Sequence, residues 1–490
     1  MVMIPIIKNT TEMKHLTISL ISLLIFTACK TKTDCENLYF AMKYKADSGF
    51  FHQARWMADS LKKYCPGDEN LIRKSDSILD IGERIRLDFS VTEDLFRSRV
   101  EKYFGPVSDS LLAVWDSRRW MEWRMIDGEK KYFNRAASNL VLLKRFYEGK
   151  EKQDIEPASD PVLLSRLKHT GEVIKLSGNK PAPVLPAEMK ITYTITVLPD
   201  VVPAGEQIRC WLPIPNMNHS RQQNFELLSA SAVNYTIAPD SAIHRTLYME
   251  GSAKKGVPTT FGISYRYTSS AQYFDMEPLK VLPYDKSSDL YKKYTCEQLP
   301  NICFPENIRH LADEVTAPGD DPQTIVRKIY LWFKENIPWT GALEYSTMPN
   351  IPEYVFENRR GDCGMQTFLF MSMLRYKGIP VRWQSGWNMY PGDKNLHDWC
   401  EVYYEGPGWV PADVTYDLQP SDNRQLKEFF ITGIDSYRLI VNDGVAGPLF
   451  PEKKYLRSEP YDFQRGEVEW KGGNLYFDKW DYSMQIEYLK

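Results

Sequence analysis

The sequence predicts a multidomain α+β protein: an N-terminal helical region, an antiparallel β-sandwich, and a core in which helices precede an antiparallel sheet. Three observations predict it. Apolar residues recur near a helical period through residues 36–150, alternate strictly through 188–268, and return to mixed spacing from 286 to 450. A chain of 490 residues is also long enough for several hydrophobic cores.

Residues 1–28 come first. Lys14 and His15 precede an apolar stretch from Leu16 to Phe26, and the small residues Thr27 and Ala28 then precede Cys29. A basic start, a short apolar core and small residues before the cut describe a secretory signal. Because a Cys follows the small pair, the segment resembles a bacterial lipoprotein signal, which implies lipidation at Cys29 and a lipid anchor in the bacterial cell envelope. Lys30, Lys32 and Asp34 then form a short solvated tether.

The helical region is expected over 29–150. In 71–89 the residues Leu71, Ile72, Ile78, Leu79, Ile81 and Ile85 keep a helical period. Helices are also expected over 108–125 and 132–147, with breaks at Pro66-Gly67 and Gly105-Pro106. Prolines 157, 161, 181, 183 and 186 mark 151–187 as a linker or packing arm. The β-sandwich is placed at 188–285. Ile191, Tyr193, Ile195 and Val197 alternate with threonines, and strand-like runs follow at 205–212, 225–231, 245–250 and 259–268. The core is placed at 286–450, with helices at 322–335 and 365–377, the latter ended by Gly378, and strands at 381–386, 397–404 and 409–414. Residues 451–490 form a C-terminal extension whose Trp470, Tyr476, Trp480 and Tyr482 match no interpretable motif.

Composition excludes some functions. The net charge is −3 and no Lys/Arg block is present, so no nucleic-acid partner is expected. No run of about 18 or more apolar residues predicts a membrane-spanning helix. Export makes disulfides possible for the eight cysteines. Cys35 and Cys65 bracket a helical hairpin and are expected to be close enough to bond, and Cys296 and Cys303 are a second candidate pair. No Cys/His spacing suits zinc, and no metal or cofactor is expected.

Chemistry concentrates around Arg360-Gly361-Asp362-Cys363-Gly364, directly before an apolar helix. Asp362 or Gly361 can cap that helix. Cys363 then sits at its positive end, where the macrodipole and free backbone N–H groups favour a thiolate. Glycines on both sides would let a substrate backbone come close. A thiolate nucleophile needs an imidazole partner. His397 opens the run His397-Asp398-Trp399-Cys400-Glu401-Val402-Tyr403-Tyr404, in which His397, Trp399, Glu401 and Tyr403 share one strand face and Cys400 points to the other as a buried thiol. On a paired strand, Asp413 can reach His397 and fix its tautomer.

Taken together, Gly361-Asp362-Cys363-Gly364, His397-x-Trp399-x-Glu401-Val402-Tyr403 and Gly408-Trp409-x-Pro411-x-Asp413-x-Thr415 resemble the core of the transglutaminase-like superfamily over roughly residues 300–420. The resemblance implies a papain-like core and a catalytic triad. Cys363 would attack an amide carbonyl to give a thioester, with His397 as general base and acid and Asp413 as its orienter. A side-chain oxyanion donor often lies upstream in such enzymes, and Trp332, Trp339 and Asn358 are the candidates. The zinc-binding CxxC pairs of peptide:N-glycanases and the long acidic calcium sites of animal transglutaminases have no counterpart here.

Two function classes follow. The first is an envelope thiol hydrolase or acyltransferase that acts on a peptide, protein or peptidoglycan-type amide, with hydrolysis favoured over crosslinking. The second is a catalytically inactive surface lipoprotein that binds a glycan or peptide. Tryptophans at 339, 383 and 399 are candidate substrate-binding rings, as are Trp387 and Trp409, although core packing accounts for most such residues.

Overall fold

The computed structural model describes residues 32–149, 160–178 and 182–489. The expected signal segment 1–28 and the lipidation site Cys29 lie outside the described residues. Among the described residues, no helix is long and apolar enough to cross a membrane. The chain divides into two compact units, residues 1–107 with 121–136, and residues 108–120 with 137–490.

In the first unit, helices run over Lys32–Asp47, Phe51–Tyr64, Glu69–Asp88 and Glu93–Phe104. Asp68 and Thr92 cap the last two by accepting from Leu71 N and Leu95 N. A disulfide joins Cys35 to Cys65 with their Cα atoms 6.1 Å apart, closing the first helical hairpin. Gly82 lets the third helix approach Phe51, whose Cδ1 would lie 2.7 Å from an added Cβ. The expectation of helix up to residue 125 is corrected. Strands β1 (Trp123–Ile126) and β2 (Glu129–Tyr132) form an antiparallel hairpin instead. Its turn is Asp127-Gly128, with φ of 49° and 91°, the positive-φ pair that a tight hairpin requires.

The second unit carries the remaining strands. These are β3 (Val184–Val197), β4 (Gln207–Pro213), β5 (Gln222–Ala230), β6 (Tyr235–Ile237), β7 (Thr246–Ser252), β8 (Thr259–Tyr273), β9 (Val381–Tyr390), β10 (Asp393–Tyr404), β11 (Gly408–Ala412), β12 (Gly433–Ile434), β13 (Arg438–Asn442), β14 (Glu467–Trp470), β15 (Gly473–Leu475) and β16 (Trp480–Tyr488). One five-stranded sheet runs β12-β8-β3-β16 with β5 also on β8, and the other runs β15-β14-β4-β7-β6. Alternation along β3 buries Met189, Ile191, Tyr193, Ile195 and Val197 against Trp211, Leu247 and Met249, forming the sandwich core.

Two further regions differ from expectation. Within 151–187, Pro161–Ser177 is a helix, with Asp160 accepting from Val162 N and Leu163 N and Pro161 at its first position. Residues 451–490 are not an appendage. They supply β14 to the edge of β4 and β16 to the edge of β3, so the sandwich is completed from the far end of the chain.

The core sheet has the order β11-β10-β9-β13, antiparallel throughout. The helix Cys363–Tyr376 packs on it and is buried on almost every side. Cys296 and Cys303 do not pair. Cys303 is buried, its N–H donating to Ser372 Oγ on that helix, whereas Cys296 is exposed with Sγ bonded to Lys293 O.

Candidate active site

Cys363 is the first residue of its helix. Asp362 is the cap, its Oδ1 accepting from Met365 N at 3.0 Å and from Tyr345 Oη at 2.5 Å. The entering chain is fixed from the side, where Thr340 N donates to Gly361 O. The flanking glycines are packed rather than open to a substrate. A Cβ on Gly364 would lie 2.2 Å from Tyr345 Oη and 2.6 Å from Asp398 Oδ2, and one on Gly361 would meet Met365 Cβ at 2.8 Å. The close approach that these glycines permit is therefore made by the protein's own side chains.

Strand β10 presents two faces. On one, His397 Nε2 lies 2.7 Å from Asp413 Oδ2, and Thr415 Oγ1 donates to Asp413 Oδ1 at 2.9 Å. Arg438 on β13 donates to the same Asp413 Oδ2 at 3.0 Å and to Asp435 Oδ2 at 2.8 Å, all fully buried. Further along this face, Glu401 pairs with Arg382 at 2.6 Å and His219 at 3.0 Å. Burial works against the charge on Asp413, but His397 and Arg438 outweigh it and hold its carboxyl well below the usual carboxylate range. Glu401 is held low in the same way, against burial, by Arg382 and His219.

On the other face lie Asp398 and Cys400. Cys400 is buried, with Sγ 3.5 Å from Ala412 O. Asp398 meets the nucleophile candidate directly, since Cys363 Sγ–H donates to Asp398 Oδ2 at 3.4 Å. Asp398 Oδ1 accepts from Gln464 Nε2 at 2.7 Å, and the same amide donates to His397 O at 3.0 Å. Asp462 and Glu459 arrive on the same segment as Gln464, and Arg465 pairs with Glu344 and Glu459. Burial, and then Asp462 and Asp362, push the Asp398 carboxyl well up, while burial and Glu459 push Asp462 to about 8.

The structure thus joins His397 to Asp413 and Cys363 to Asp398. Among the described residues, no hydrogen bond links Cys363 to His397. The helix position alone predicts a favoured thiolate, and this expectation is corrected. Burial, and then the carboxylates of Asp398 and Asp362, push the Cys363 thiol well above its ordinary value. The half-charge at the helix end is outweighed first by burial of the sulfur and then by its acidic neighbours.

The aromatic candidates separate clearly. Trp383 stacks on Phe368 with centroids 4.2 Å apart, and Trp399 packs with Ile434 and Ile440 while its Nε1 donates to Gln384 Oε1. Trp387 is buried in the sandwich core, and Trp409 carries the Arg382 guanidinium over its ring. Trp383, Trp387 and Trp399 are core residues, and Trp409 is half-buried. Trp339, 49% exposed, is the one of the proposed substrate-binding trio open to solvent, and it pairs by backbone with Gly361, two residues before Cys363. Of the other oxyanion candidates, Trp332 lies under Arg359 and Asn358 Nδ2 bonds back to Tyr354 O. Asp398, Gln464, Tyr345 and Arg438 were not singled out by the sequence. Asp398 stands at a spacer position of its motif, while Gln464 and Arg438 reach the site from distant segments.

Residues 309–414 match the family model described as the Transglutaminase-like superfamily. Among curated proteins, the chain is similar to the uncharacterized protein YebA of Bacillus subtilis (26% identity over 209 residues, 37% of this chain and 28% of that one). It is also similar to a protein-glutamine gamma-glutamyltransferase of Pseudomonas aeruginosa (26% identity over 164 residues, 31% of this chain and 24% of that one). The chain therefore spans 28% and 24% of the length of these two relatives. A solved structure of a proposed cysteine protease from Cytophaga hutchinsonii aligns over 63% of this chain and 92% of that one, with 14% identity and a TM-score of 0.41. Within this α+β chain, it is the segment 309–414 that is similar to the transglutaminase-like superfamily.

Proposed function

We propose that this chain is a thiol enzyme of the bacterial cell envelope that attacks an amide carbonyl through Cys363, with His397 as base and Asp413 as orienter, and that it hydrolyses rather than crosslinks. The observation that carries this reading is the buried His397–Asp413 pair at 2.7 Å, on the strand whose next residue touches Cys363. With Nε2 committed to Asp413, Nδ1 is left to take the thiol proton. The Cys363 sulfur forms a bond to the substrate carbonyl carbon. The C–N bond then breaks, and the leaving amine takes the proton from His397. Water, deprotonated by His397, then breaks the thioester and returns the thiol. A peptide, protein or peptidoglycan stem fits this chemistry, and the lipid anchor at Cys29 would hold the enzyme at the membrane.

The inactive binding reading is favoured by one observation: Cys363 is only 8% exposed and its thiol rests on a carboxylate. A single assay separates the two. The purified protein is incubated with peptide and muropeptide amides, with and without a fluorescent primary amine. Hydrolysis that disappears in Cys363→Ala and His397→Ala supports the proposal, and labelled product would make it a crosslinker. Turnover that survives Cys363→Ala sinks the thiol mechanism. Binding of these compounds without turnover supports the inactive reading.

A further inference from the structure

We propose that Asp398 is a latch on the nucleophile: it keeps the Cys363 thiol protonated and away from His397, and Gln464 braces it there. The inference rests on Cys363 being the attacking group. Its geometry is a closed chain of contacts. Cys363 Sγ–H donates to Asp398 Oδ2, Gln464 Nε2 donates to Asp398 Oδ1 and to His397 O, and Trp387 Nε1 donates to Gln464 O at 3.0 Å. Gly364 is what allows the carboxylate in, because any Cβ there would strike it.

The surroundings on every side favour keeping the proton. From the nucleophile helix come Asp362 and Cys363 itself. From the 345–347 turn come Tyr345, bonded to Asp362, and the adjacent Glu344. From the segment before β14 come Glu459, Asp462 and Arg465. Arg465 is committed to Glu344 and Glu459. On the strand itself, His397 commits Nε2 to Asp413, which leaves Nδ1 as its other ring nitrogen. A second negative charge on sulfur beside these carboxyls, at low dielectric, is costly. The proton therefore stays on the Asp398–Cys363 pair until a substrate draws the side chains apart. The thiol then turns to His397, the S–H bond breaks, and an N–H bond forms on Nδ1, with no other group changing its proton.

The test is peptide-resolved labelling with limiting iodoacetamide from pH 5 to 10. Wild type is compared with Asp398→Asn, Asp398→Ala and His397→Ala. The chain supplies its own standards. Exposed Cys296 reports reagent strength, and buried Cys210 and Cys400 label only if the fold opens. Loss of the carboxylate is expected to lower the Cys363 midpoint by about one pH unit or more, and to speed its labelling about tenfold at pH 7. Where Asn at 398 exposes Cys210, the Ala variant is read instead. A midpoint that is unchanged or raised in the folded variant overturns the latch. His397→Ala reports separately on the proposed function: an Asp398→Asn rate gain that persists without His397 leaves the latch standing, and amide turnover that survives His397→Ala sinks the His397-based mechanism.

Discussion

The two faces of β10 carry the same kind of residue to opposite ends. On the face of His397, the carboxyls of Asp413, Asp435 and Glu401 each meet a cation within 3.0 Å, and all are held ionised. On the face of Cys363, Asp398, Asp462 and Glu459 crowd together, with Arg465 divided between Glu459 and Glu344 and Arg457 drawn to Glu467, and all three carboxyls are pushed toward the protonated form. Burial is nearly complete in both places, so burial does not decide the outcome. The ratio of cations to carboxyls does. One strand thereby offers a fixed negative charge to orient an imidazole and, a residue away, a reservoir of carboxyl protons around a thiol.

The sharpest way to break the comparison is to remove one reactive group from each face. Cys363→Ala and His397→Ala are each expected to reduce amide turnover by about a thousandfold or more, measured as initial rates at equal folded concentration. Next comes Arg438→Met. It leaves Asp413 and Asp435 buried without their shared cation and is expected to cost about 3–5 kcal/mol in urea unfolding. A loss below about 1 kcal/mol would show that the two carboxylates are not held as the geometry implies.

The third prediction uses pH. Asp462 has a folded value raised to about 8, above its unfolded value of 3.8. Its contribution to stability is therefore full below about pH 4 and is lost as pH rises toward 8. Asp413, held low, behaves in reverse: its contribution is present above pH 4 and is lost on acidification. Asp462→Asn should flatten the fall in Tm between pH 4 and 8 while leaving the acid limb in place. The smallest effect is expected for Tyr345→Phe, which removes the donor to Asp362 and should cost about 1 kcal/mol.

Much of the framework is legible in local sequence because it is set by local periodicity. The alternation around Ile191 and Tyr193 marks β3, the helical spacing of Ile325, Val326 and Ile329 marks Pro322–Asn336, and Gly378 ends the nucleophile helix with φ of 75°. The β1–β2 hairpin carries a strong turn signal in Asp127-Gly128, but the apolar residues before it continue the helical spacing of 108–125. The sandwich edges were not legible. Nothing in 467–488 says that its partners are β4 and β3. The candidate site divides similarly. His397 on β10 and Asp413, one residue past β11, are 16 residues apart, and the hairpin register that sets Cys400 opposite Ala412 brings them within diagonal reach. Asp398 could be seen but not weighted, because its effect depends on Gln464, 66 residues on, and on the packing of Gly364.

The β3–β16 ladder, in which Lys190 faces Glu487 across 297 residues of chain, has a consequence for biogenesis. A ribosome releases β3 and β4 long before their outer partners exist. The nascent sandwich therefore waits with two bare strand edges, a state prone to mispairing. The segment bearing Gln464 emerges just before β14. The thiol is thus sheltered only once residues 459–465 have been made, and chains stopped before residue 459 would expose both bare sheet edges and an uncovered cysteine.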